Sequence, residues 1–191
     1  CLHFLLCAAF VTPLDFTSDE IPYQNYAGRW ISGHPERTVN VDDSKSPIVV
    51  PALFPIILKP FWPAASDPYG LRFLRLGRYM MYVYVLVAAF VLLCWSRKLW
   101  GAYSWVIPLC FFLMDPTFFS NALLVGSDVA SMALLFTALY LGWCFVQQGT
   151  MRYWWRMSMV TGLAIVAKVS LIYLLPLLVL LFAISRRSAA P

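Results

Sequence analysis

In a chain of 191 residues, 61% of the side chains are hydrophobic and only 12% carry a charge. Mean hydropathy is +0.73. A soluble domain of this length carries about twice that share of charge, so the composition points to a membrane protein. Net charge is +5, but the basic residues flank apolar runs instead of forming one patch. They read as topology determinants, and nucleic acid is excluded as a partner.

The first apolar run, Cys1–Val11, is shorter than the roughly 20 residues a span needs. It has no basic flank and no small-residue cleavage site, so it does not read as a signal peptide. It reads as the outer part of a first transmembrane helix, residues 1–14, whose beginning lies upstream. The end, "SRRSAAP", also reads as a stop in mid-protein.

Residues 15–76 form a polar loop. Its stretch Asp15–Arg75 holds seven of the nine acids, among them the adjacent pair Asp19-Glu20 in "FTSDEIPY". "PIVVPALFPIILKPFW" (47–62) suits a short element lying at the membrane surface, with Phe61 and Trp62 at headgroup level. In "DPYGLRFLRLGRYMMYV" a helix would put Arg72, Arg75 and Arg78 on one face.

Transmembrane helices are expected over 77–95, 100–114 and 128–146. Arg97 and Lys98 stop the first, and Asp115-Pro116 ends the second. "TFFSNALLVGSD" reads as a short re-entry before the third. "QQGTMRYWWR" reads as a loop with an aromatic belt. The apolar stretch from Met157 to Ile184 is too long for one upright helix and carries Lys168 near its middle.

Charge favours a hairpin of 157–169 and 171–184 over a single tilted helix. The short loops at 96–99, 149–156 and 185–188 hold six basic residues and no acid. The positive-inside rule makes all three cytoplasmic, with 185–191 a cytoplasmic tail. A single helix would put one basic end outside. The fold class is then all-α, a polytopic membrane bundle with an extracytoplasmic first loop containing short membrane-surface helices. No inverted repeat is visible, which speaks against a transporter.

This topology gathers Asp19, Glu20, the arginines, Asp115, Asp128 and Lys168 at the extracytoplasmic boundary. Ionisable groups at that depth face a cavity or a partner. Acids beside bases there suit a lipid-linked phosphate and a proton transfer. Each residue also has a plainer role. Asp19 and Glu20 suit a loop pair with Ser18 as a helix cap. Asp128 suits a helix N-terminus, and Lys168 could simply pair with it. Arginines such as Arg72 commonly snorkel to headgroups. His34 and Asp42-Asp43 suit a solvated loop. Cys1, Cys7, Cys94, Cys110 and Cys144 lie in apolar runs without metal-type spacing and read as small buried hydrophobes.

Four stretches in order, "TSDEIPYQNYAGRWISG", "HPE" at 34–36 or "KSP" at 45–47, "DPTFFSNALLVGSD" and "GLAIVAKVSLIYLLP", resemble the C-type membrane glycosyltransferases. The protein O-mannosyltransferases and aminoarabinose (lipid A) transferases are the most similar group. Where that family has His-Pro-Pro, this chain has His34-Pro35-Glu36. Family members are longer, so the resemblance is to their N-terminal part.

The resemblance implies transfer of a sugar from a polyprenyl-phosphate donor to an acceptor outside the plasma membrane (the bacterial inner membrane). It implies Asp19 as general base, with Glu20 contacting acceptor or a divalent cation. Lys168, Arg75, Arg78, Asp128 and His34 are then the candidates for holding substrate and phosphate. Partners are membrane lipid and the polyprenyl-phosphate sugar. No certain cofactor and no protein-bound metal ligand set is read from the sequence. The alternative is a glycosyltransferase-derived accessory or structural subunit, without activity, inside a larger membrane complex.

Overall fold

A computed structural model describes residues 71–115, 121–122 and 124–188, together with Glu20 and Tyr23. Asp19, His34, the expected first helix and the rest of the polar loop lie outside the described residues. All regular structure among the described residues is helical, with no strand.

Helix α1 runs Leu71–Trp100. It begins six residues before the expected boundary at 77 and continues through Arg97 and Lys98. Those cations occupy its last turn, where the helix dipole favours positive charge. Arg75 therefore sits on helical backbone one turn before Arg78.

Gly101, at φ 98°, turns the chain in a conformation that suits glycine. A turn then leads to α2, Val106–Met114. This helix replaces the expected span over 100–114. Its nine residues reach about 13 Å, far short of a bilayer core of about 30 Å. Pro108 is tolerated because it lies in the first turn, where no intrahelical donor is lost. None of the nine residues is buried.

Helix α3 spans Ser127–Gln148. Gly149 ends it in the left-handed conformation, φ 63°, and its N–H donates to the Phe145 carbonyl at 2.8 Å. That cap reverses the chain within two residues. Helix α4, Met151–Ala167, thus starts inside "MRYWWR", a stretch expected to be loop. The ring packing of Trp154 on Phe145, centroids 5.5 Å apart, ties this first turn of α4 to the end of α3.

Lys168 is extended, φ −151° and ψ 109°, and stops α4. A 3₁₀ turn, Val169–Tyr173, follows, and then α5, Leu174–Ser188. The long apolar stretch is thus broken at the lysine, where the hairpin reading put its turn. Leu171 and Leu174 fold back onto Ala164, with Leu134 and Leu135 of α3 beside them. Both arms pack on α3 more than on each other.

Small side chains set how closely these helices approach. Helix α3 buries Ala130, Ala133, Ala138 and Gly142, and α4 buries Met157, Thr161, Ala164 and Ala167 at helical spacing. Such close backbone packing supplies van der Waals attraction between the helices. The core at one end joins Tyr23, Met81, Tyr84, Val85 and Ala88 to Val125, Val129 and Ala130. Large apolar residues such as Leu86, Phe90, Phe111, Met159 and Val179 face outward.

Two helical segments, Gly77–Trp100 and Ser127–Gln148, are long and apolar enough to cross a membrane. At 1.5 Å per residue they measure about 36 and 33 Å, against a core of about 30 Å. They run parallel: Arg78 and Val125 meet at their starts, and Trp95 meets Tyr140 and Trp143 near their ends.

Candidate functional site

The starts of α1 and α3 and the end of α4 come together at one end of the molecule. Glu20 is the hub. Its carboxylate accepts a bidentate pair from Arg78, with Nε to Oε1 at 2.9 Å and Nη2 to Oε2 at 2.6 Å. The Val125 N–H donates to the same Oε1 at 3.0 Å. Both charged side chains are fully enclosed, at 0% exposure. A fork-on-carboxylate geometry of this kind is the arrangement that compensates burial of two charges.

The family resemblance implies acceptor or cation contact for Glu20, and Arg78 is a candidate for phosphate; in the structure the two charges pair with each other, away from solvent. Glu20 thereby links three pieces of chain: its own segment, α1 through Arg78 and the approach to α3 through Val125. One turn further on, the Tyr23 hydroxyl donates to Ser127 Oγ at 3.2 Å, a second tie to the same helix start.

A cavity of about 100 Å³ lies between these ties. It is lined by Glu20, Tyr23, Asn121 and residues 124–129. Gly126 is the N-cap residue of α3 and supplies no side-chain cap. The first-turn N–H groups of α3 therefore lack that cap partner on the cavity side, and the positive end of the helix dipole faces the same way.

Asp128 lines this cavity and lies in the first turn of α3. Its Oδ1 accepts from Lys168 Nζ at 2.6 Å. This pair is the plainer role read for Lys168, while Asp128 also keeps the helix-start position that is its own plainer role. It is not buried, however: the side chains are 42% and 63% exposed. Solvent screens such a pair and the lysine can leave it cheaply.

Glu20, Arg78, Asp128 and Lys168 thus meet at one end. The side chains of Asp19 and His34 lie outside the described residues, and Arg75 is described in its backbone alone. Among the described residues, no three of His, Cys, Asp and Glu converge on one point, so no divalent-cation site is assembled from them. Cys94, Cys110 and Cys144 are free thiols; Cys144 is buried, but Cys110 is exposed, against the expectation of burial. Tyr23, Asn121, Val125 and Ser127 were not singled out from sequence. A tyrosine three residues after a glutamate on a helical turn was the available signal for Tyr23.

Comparison with family models, with curated proteins and with solved structures finds no match to this chain.

Proposed function

We propose that the chain is the N-terminal part of a membrane glycosyltransferase that uses a polyprenyl-phosphate sugar. The four motif stretches and the polytopic, extracytoplasmic-site topology belong to this reading. One structural observation supports it most. The segment directly following Asp19 in the chain is anchored by Glu20 and Tyr23 against a cavity lined in part by Asp128, whose carboxylate pairs with Lys168.

In this reading Lys168 exchanges its carboxylate partner for the phosphate of the lipid donor. The uncapped start of α3 adds N–H donors to the same anion. Asp19 takes the proton of the acceptor hydroxyl as it attacks the anomeric carbon, and the phosphate leaves with the bonding pair. Glu20 anchors the segment through Arg78 and the Val125 N–H and is not the base. Sugar release from a polyprenyl-phosphate donor tests the proposal in the wild type, Asp19→Asn and Lys168→Gln. Turnover lost in both variants supports it; turnover equal in all three sinks it.

A second reading is favoured by the enclosure of Glu20. An acid locked between Arg78 and a backbone N–H is a structural strut, and a chain that kept the strut without the chemistry would serve as an accessory subunit. Co-purification at fixed stoichiometry with another membrane complex would support that reading. Lipid-donor turnover by the isolated chain would exclude it.

A further inference from the structure

The opposite end of the same helices carries a different chemistry. Arg97 and Lys98 close α1, and both are exposed. The reversal at Gly149 puts Arg152 and Arg156 on the first two turns of α4, also exposed. These two regions meet in space. Lys98 Nζ lies 3.7 Å from Cys144 Sγ and within electrostatic reach of Tyr153. Among the described residues from 96 to 105 and from 144 to 165 there is no Asp or Glu.

Lys98 is already occupied. Its ammonium sits over the rings of Tyr140 and Trp143, 5.1 and 5.9 Å from their centroids. Arg97, Arg152 and Arg156 are exposed. Interleaved with them are Trp100, Tyr103 and Trp155, at 69%, 89% and 66% exposure. Trp and Tyr in such a position have an apolar body and a polar edge, which suits the boundary between acyl chains and headgroups.

We propose that this end is a docking surface for the headgroups of anionic phospholipids. Charge complementarity argues for that occupant. Three exposed arginines, with no Asp or Glu in the described stretches that carry them, match phosphodiester oxygens in fork geometry. They sit at the terminus of two helices long enough to cross a bilayer, at the level where such headgroups lie. The exposed aromatics fill the adjoining interfacial layer. The inference rests on the membrane reading of α1 and α3 and is independent of any catalysis at the cavity end.

The test uses the full chain purified in detergent and equilibrated with equal amounts of phosphatidylglycerol and phosphatidylcholine. Retained lipid is then quantified by mass spectrometry. The wild type is expected to retain phosphatidylglycerol in excess by on the order of tenfold, with the excess falling as salt is raised. The variant R97Q/R152Q/R156Q, checked for fold by circular dichroism, is expected to approach parity. Equal retention of the two lipids by the wild type overturns the proposal. So does a folded triple variant that keeps the full preference. If that variant does not fold, the salt series on the wild type decides, and a preference indifferent to salt overturns the proposal. An inactive cavity end would leave all of these readouts unchanged.

Discussion

The two ends of the long helices are held by different means. At the cavity end, groups far apart in sequence are joined by charge and hydrogen bonds: Glu20 to Arg78 and Val125, Tyr23 to Ser127, Lys168 to Asp128. At the basic end, α1 meets α3 through rings and a lysine, and α3 meets α4 through a glycine cap and a ring contact. The first arrangement fixes a cavity. The second fixes a surface. Polar ties are directional and fail abruptly when one partner goes, whereas ring packing is diffuse and degrades in small steps.

Removing one half of the enclosed pair should have the largest effect. Glu20→Ala or Arg78→Met leaves a buried charge without its counter-charge, a loss of about 3–5 kcal/mol. The double variant Glu20→Leu with Arg78→Met should recover most of it, because well-packed apolar residues replace such pairs at little cost. Thermal unfolding in detergent measures both. A double variant as unstable as either single one would show that the pair does more than neutralise charge.

At the basic end, Gly149→Ala should cost about 1–2 kcal/mol. An added Cβ would meet nothing within 4 Å, so the loss would come from the left-handed backbone alone. Gly149→Asn should be milder, since asparagine tolerates that conformation. The same unfolding assay ranks the two, and equal losses would mean that the reversal depends on something besides the cap.

Lys98→Met should cost about 0.5–1 kcal/mol, the worth of an exposed cation over aromatic rings. Loss of tryptophan fluorescence change on unfolding would report the rings' rearrangement. A cost as large as that at Glu20 would erase the contrast between the ends.

The smallest effect on stability belongs to Lys168→Gln, at or below about 1 kcal/mol, because its pair is exposed. If the cavity binds a lipid-linked phosphate, the same substitution should nevertheless weaken that binding strongly. A large stability loss with no change in donor binding would move Lys168 from substrate contact to structure.

Much of the helical layout was legible in the chain. The apolar runs around 77–95 and 128–146 became α1 and α3, and the lysine in the long last stretch marked a break. Each of these depends on local periodicity and on the cost of burying charge in an apolar run. The boundaries moved where turn chemistry intervened. Gly149 caps α3 tightly enough for "MRYWWR" to join a helix, and Gly101 divides a run that composition alone would leave whole.

At the candidate site, Asp128 and Lys168 were both visible, since each is an isolated charge beside apolar sequence. The enclosure of Glu20 by Arg78 was not, because the two are 58 positions apart and nothing local links them. The loop acid and the helix arginine each looked available for substrate. The chain by itself therefore determined the helical character, the apolar segments and the places where charge interrupts them, all of which follow from solvent transfer and backbone sterics. Only the tertiary structure decided which charges neutralise each other and which remain exposed, because pairing depends on distances that no local pattern encodes.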